Sequence, residues 1–155
     1  MLTALLIVHG LCAVALLGAT THQSLAVGFG IHTGRRSSFL GRFRATDPAV
    51  YGTAIAILFI AVAALGAVLY PAYRLTVRPL LQSMDLRAAN GVFELKEHFS
   101  AIGLLLLPVY WSCWKQPLVP EQKTARAMLS WLITVMVWWN FIAGQLLVAI
   151  KGLFS

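Results

Sequence analysis

The sequence predicts an all-α polytopic membrane protein, a bundle of four transmembrane helices, and three observations carry that expectation. Of the 155 residues, 59% are hydrophobic and 11% are charged, whereas soluble domains carry roughly 25% charged residues. Four long apolar stretches are separated by short polar connections, each stretch close to the ~20 residues that a helix needs to cross a bilayer. The polar residues inside these stretches recur at helical rather than strand spacing. The chain therefore reads as one membrane domain with helices over about 2–30, 48–73, 92–114 and 125–153.

The first helix, Leu2 to about Val27 or Ile31, opens with an apolar run. Met1 to Ala19 has no basic leader and carries His9 in its middle, so it reads as a retained transmembrane helix rather than a signal peptide. At about 100° per residue from His9, Cys12 falls near −60°, Leu16 near −20°, Thr20 near +20° and Gln23 near −40°. A polar stripe on a spanning helix is expected to face protein, cofactor or water. His22 lies on another face.

A basic connection follows, containing His32, Arg35, Arg36, Arg42 and Arg44. Thr46-Asp47-Pro48 then reads as a helix start, with Asp47 as the cap and Pro48 in the first turn. On the second helix Gly52, Ala56, Ala63, Gly66 and Ala67 form a stripe of small residues, the usual surface for close helix approach in lipid. That helix is expected to end at Tyr70-Pro71-Ala72-Tyr73, with Arg74 and Arg78 in the headgroup layer. The connection up to Asn90-Gly91 is expected to be broken by Pro79, with a short interfacial helix over Ser83–Ala89 and a stop at Asn90-Gly91.

The third helix begins with Phe93-Glu94-Leu95-Lys96-Glu97-His98-Phe99. Only about 16 apolar residues follow His98, short of a full span, so this charged turn is expected at or just inside the membrane edge. Helical phase puts Glu94, Glu97 and His98 on one face and Lys96 about 200° away from Glu94, where its chain can reach the headgroups. Pro108 is expected to kink this helix, and Trp111 and Trp114 suit its far interface. On the fourth helix, Asn140 is expected to seek a partner on a neighbouring helix, and Trp131, Trp138 and Trp139 suit lipid contact and packing.

The net charge of +7 sits in loops and at helix ends, where it sets topology, so no nucleic acid is expected as a partner. Seven cations (Arg35, Arg36, Arg42, Arg44, Lys115, Lys123, Arg126) lie in the connections after the first and third helices, and five (Arg74, Arg78, Arg87, Lys96, Lys151) on the opposite side. The positive-inside rule then puts both termini outside. The expected setting is a bacterial inner membrane with periplasmic termini. Cys12 and Cys113 lack any metal-type or redox spacing. No phosphate-binding loop, nucleophilic triad or channel filter is present in the sequence.

His9 and His98 lie at similar depths on different helices, each about six or seven residues from the same end at 1.5 Å per residue. Two such imidazoles can supply the axial ligands of a haem b iron, with Tyr70, Tyr73, Arg74, Arg78 and Lys96 clustered on the same side near its propionates. The same residues support two other readings: a proton- or quinone-handling site built on Glu94, Glu97 and His9, or a structural polar cluster. A non-haem site on Glu94 and His98 lacks the repeated Glu-x-x-His spacing of di-iron bundles. The fold is similar to that of the small four-helix haem anchors of respiratory enzymes, a likeness of architecture alone. The expected function is a small integral-membrane subunit of a larger electron-transfer complex, with one bis-His haem. The alternatives are a cofactor-free accessory or assembly subunit and a proton- or quinone-handling subunit. Its expected partners are membrane lipids, other membrane subunits and quinone, and the chain is not expected to be an enzyme on its own.

Overall fold

The computed structural model describes residues 1–28 and 46–153, and every element among them is helical. The long elements are α1 (Leu2–Gly28), α2 (Tyr51–Ala72), α4 (Arg87–Trp114) and α5 (Lys123–Leu153), with a short α3 (Arg78–Ser83) between α2 and α4. Three stretches, Leu2–Gly28, Pro48–Ser83 and Pro120–Ile150, are long and apolar enough to cross a membrane. The basic connection with His32, Arg35, Arg36, Arg42 and Arg44 lies outside the described residues, as does the tail of the first helix toward Ile31.

The start of α2 follows its sequence signal. Asp47 is extended and its Oδ1 accepts the Ala49 N–H at 2.9 Å. Pro48, which has no N–H to satisfy, opens the short 3₁₀ turn Pro48–Val50 that leads into Tyr51.

The expected end of the second helix is corrected. Pro71 stands inside α2, and the chain continues through a π turn, Tyr73–Val77, directly into α3. Pro71 lacks the N–H that would bond the Ala67 carbonyl, and the wide turn follows it without ending the helical path. Pro79 does not break the path, because it occupies the first turn of α3, where a missing N–H is tolerated. The break falls instead at Met84-Asp85-Leu86. Asp85 takes a left-handed φ of 54° and binds Arg87 Nε through its carboxylate at 2.9 Å; aspartate reaches this conformation more readily than most residues.

The third long helix is likewise longer than expected. α4 starts at Arg87, and Asn90-Gly91 lies within it rather than stopping a separate interfacial helix. A helical glycine costs about 1 kcal/mol relative to alanine, and packing opposes that cost: Ala89 is buried with Leu81 and Leu147. Trp114, expected at an interface, is 4% exposed and donates its indole N–H to Ser130 Oγ at 3.1 Å. Trp111 remains on the surface.

Small residues set the helix contacts. A Cβ on Gly52 would come within 2.7 Å of Trp114 Cβ, and one on Gly103 would run into the Phe59 ring. Around these contacts lies the main apolar cluster, Leu16, Ile55, Phe59, Leu107, Tyr110, Trp114, Ile133 and Val137. Leu81, Ala89 and Leu147 form a second, smaller cluster. The two belong to opposite ends of the helices.

Polar side chains run through the end that holds the larger cluster. Tyr110 Oη donates to Gln23 Oε1 at 2.6 Å, Gln23 Nε2 donates to the Pro48 carbonyl at 3.0 Å, and Ser24 and Thr134 hydroxyls meet at 2.7 Å. Thr134 also donates to the Thr20 carbonyl at 3.0 Å. Thr20 and Gln23, placed on the inward stripe of the first helix by their spacing, are each 1% exposed. Arg126 is 8% exposed and closes this end, donating to the Val119 carbonyl at 2.8 Å and lying over the Trp114 ring.

Candidate functional site

Between the two apolar clusters the packing opens. A cavity of about 240 Å³ is lined from all four long helices. α1 supplies His9, Ala13 and Leu16; α2 supplies the small run Ala63, Gly66 and Ala67 with Phe59 and Val62; α4 supplies Lys96, Glu97, Ser100 and Leu104; α5 supplies Val137, Asn140 and Phe141. The void follows from side-chain size. The half of the α2 stripe at Gly52 is filled by Trp114, whereas Gly66 faces only the edge of His9, with Cε1 3.6 Å from where a Cβ would stand.

The polar lining is specific. Lys96 Nζ donates to Glu97 Oε1 at 3.2 Å, with the Lys96 side chain 18% exposed and that of Glu97 44% exposed. Ser100 Oγ donates to Asn140 Oδ1 at 2.8 Å, and Asn140 Nδ2 donates to the Met136 carbonyl at 2.8 Å. Asn140 thus has the interhelical partner that its mid-helix position calls for. The His9 ring has the charges of Lys96 and Glu97 near it and a backbone hydrogen-bonding interaction at Val62. Its Nδ1 is buried and has no hydrogen-bond partner.

The orientation of α4 differs from the one expected from its charges. Lys96 points inward and His98 outward. His98 is exposed, and its Nδ1 is engaged by the Glu94 backbone carbonyl at 2.7 Å. Helical phase explains the difference. At about 100° per residue from Glu94, five of the six buried residues (Ala89, Gly103, Leu107, Tyr110 and Trp114) fall between roughly 160° and 220°, and Cys113 lies near 100°. Lys96, at about 200°, lies at the centre of that face, and His98, at about 40°, lies opposite it. Packing of small and aromatic residues fixes the inward face, and the charges take the positions left to them. Glu94 consequently lies outside, 3.5 Å from Arg78 Nη2 and 3.2 Å from Asn90 Nδ2.

Of the residues expected near propionates, Lys96 lines the cavity, whereas the tyrosines and arginines form a separate group away from it. Tyr73 and Phe93 stack with centroids 3.6 Å apart, Tyr70 lies 5.9 Å from the same Phe93, and Arg74 stands over the Tyr70 ring at 5.8 Å. Of the residues singled out for chemistry, His9, Lys96 and Glu97 line the cavity together.

A bis-imidazole haem needs a second histidine facing His9 across a porphyrin-wide gap. Lys96 and Glu97 occupy the α4 side of the cavity, His98 does not line it, and its volume lies below the ~300–1,000 Å³ typical of small-molecule pockets. Among the described residues, His9 and His98 are therefore not placed to ligate one haem iron between them. Among the described residues no group of three or more His, Cys, Asp or Glu side chains gathers as a metal site. If His98 serves no buried ligand, His98→Ala leaves thermal unfolding in detergent unchanged, since surface substitutions of this kind are usually within ~0.5 kcal/mol. A large loss of stability would contradict the outward placement.

Other functional candidates were missed in the sequence. The sequence places Lys96 near propionates and headgroups rather than inside the bundle, and Ser100 carries no signal of its own. Arg126, Ser130 and Thr134 form an i, i+4, i+8 polar stripe on α5 that marks its inward face, and all three are buried. The spacing was legible; the charge of Arg126 disguised it as a loop cation.

The polar groups divide by position. Toward Trp114, the buried Tyr110, Trp114, Ser24, Thr134 and Gln23 side chains are hydrogen-bonded. Toward the opposite end, buried atoms without a partner among the described residues include His9 Nδ1, Tyr73 Oη, Asn90 Oδ1 and Trp139 Nε1. Buried polar groups are bonded in the great majority of cases, and an orphan calls for an explanation. One end of the molecule has the character of structure, the other of a site. Comparisons of this chain with protein-family models, with curated proteins and with solved structures find no match.

Proposed function

We propose that this chain is a four-span subunit of a larger electron-transfer complex in a membrane, and that its cavity holds the polar head of a membrane-dissolved quinone and exchanges a proton with it. The observation that carries this reading is the buried, unpartnered Nδ1 of His9 in a cavity shared with Lys96, Glu97, Ser100 and Asn140. An ammonium has three N–H donors, and Glu97 engages Lys96 through Nζ. Lys96 is therefore suited to donate to a quinone carbonyl, while His9 Nδ1 or Glu97 accepts a proton from a quinol hydroxyl. In an apolar span such groups are costly unless they serve a pathway or ligand.

α4 supports its role as the fourth span by length: its 28 residues give about 42 Å at 1.5 Å per residue, against a hydrocarbon core of ~30 Å. The topology proposed places both termini on one side, outside a bacterial inner membrane by the positive-inside rule. Arg126 and Lys96 are drawn into the protein, one from each side, so the margin in cations is unchanged.

The test uses a tail-less benzoquinone and the purified full chain in detergent, with binding read from quenching of tryptophan fluorescence. Saturable binding is expected, weakened about tenfold or more in His9→Leu and Lys96→Met, because a hydrogen bond to a charged group is worth ~1.5–3 kcal/mol. Equal affinity in the wild type and both variants would reject the reading.

A further inference from the structure

The cavity shares one wall residue with a second hollow. Leu104 lines it on one side and on the other lines a second hollow of about 450 Å³ between α2 and α4. That hollow is bounded by Thr53, Ala56, Ile57, Ile60, Leu107, Pro108 and Trp111. Its polar side chains are matched to each other: Trp111 Nε1 donates to Thr53 Oγ1 at 3.3 Å. Ile57 and Ile60 are 62% and 55% exposed, so the hollow is a groove on the outer face of the helix pair. Along α4 the path from Ser100 to Trp111 covers eleven residues, about 16 Å at ~1.5 Å per residue.

We infer that cavity and groove form one site for an amphipathic ligand with a single linear isoprenoid tail, the hydrogen-bonding ring held among His9, Lys96 and Glu97 and the tail laid past Leu104 along Ile60, Pro108 and Trp111. This inference rests on the head-group reading given above and adds the ligand's tail and its route. Three features favour a single prenyl chain as occupant. The groove is apolar along its length and joins the polar cavity at one residue, Leu104, so head and tail must lie in line. It is bounded by two helices only, a single furrow that suits one chain rather than the paired chains of a phospholipid. Its open side faces outward, so a tail that leaves the lipid for the groove gains packing contacts rather than hydrophobic transfer, and these give direction more than affinity.

The experiment compares the tail-less benzoquinone with the same ring carrying a linear isoprenoid tail, on the full chain and on Ile60→Trp, which fills the groove at an exposed position outside the core. Ile60→Trp is expected to weaken the tailed compound about threefold to tenfold and to leave the tail-less compound unaffected. A photoreactive group at the tail's end is expected to attach to groove residues, located by peptide mass spectrometry. If the tail-less ring binds in a His9-dependent manner while tailed and tail-less compounds respond equally to Ile60→Trp, the tail route is overturned and the head site stands. If the ring binds independently of His9 and Lys96, the head site itself fails and the tail route fails with it. Crosslinks to the outer face of α1, or a co-purified phospholipid that the tailed quinone does not displace from the groove, would also overturn the assignment.

Discussion

Replacing Gly103 with leucine is expected to destabilise the protein severely, and shortening Phe59 in the same chain is expected to restore much of the loss. A Cβ at position 103 already runs into the Phe59 ring, and Phe59 is 5% exposed among Ile55, Leu107 and Tyr110. The ring cannot retreat into a packed cluster, so α2 and α4 must separate. Forcing extra methylenes into a close-packed interior costs about 1–3 kcal/mol, and the separation would also open the Tyr110–Gln23 contact. Thermal unfolding in detergent measures the effect. Gly103→Leu with Phe59→Ala conserves volume across the contact and should recover most of the stability. If Gly103→Leu unfolds like the wild type, α2 and α4 do not meet at this point.

That contact shows what the sequence could and could not convey. The small-residue stripe on α2 was readable from spacing, and so was the inward face of α1, where uncharged polar residues coincide with the packed surface. Both signals come from residues whose placement is decided by size or by hydrogen bonding inside the bundle. The charged turn of α4 misled because a Glu or His near a helix end can reach outward with little cost, whereas Lys96 has a long apolar stem that packs well inside. The reliable guide on that helix was the recurrence of Ala89, Gly103, Leu107, Tyr110 and Trp114. Helix ends were misplaced for a similar reason. Pro79 and Asn90-Gly91 are local breakers, but a first-turn proline needs no N–H partner and a buried neighbour offsets one glycine. The cavity was the least legible feature, since it arises from what α2 lacks between Ala63 and Ala67 rather than from any motif.

Gln23→Leu is expected to lower stability and His9→Leu to leave it unchanged or raise it, although each replaces a polar residue on the same face of α1 with the same apolar one. Gln23 is 1% exposed, accepts from Tyr110 Oη at 2.6 Å and donates to the Pro48 carbonyl at 3.0 Å. Its replacement strands the Tyr110 hydroxyl and that carbonyl in an apolar interior, at about 1–3 kcal/mol for a buried group left without its partner. Double-mutant values for interhelical bonds in membranes run lower, averaging ~0.6 kcal/mol, so a loss of about 1–3 kcal/mol is expected from two bonds broken together. Tyr110→Phe in the Gln23→Leu background removes one stranded group and should return part of the loss. His9 behaves otherwise because its Nδ1 has no partner to lose and only the ring's backbone interaction at Val62 goes with it. Leucine there removes a buried orphan and fills part of the cavity, so unfolding should be unchanged or shifted to higher temperature while benzoquinone binding falls. A residue whose removal stabilises the fold and impairs binding is held in place by function, because sites that need unsatisfied groups trade stability for activity. If His9→Leu destabilises as strongly as Gln23→Leu, His9 belongs to the structural framework and the two ends of the bundle do not differ in the way proposed.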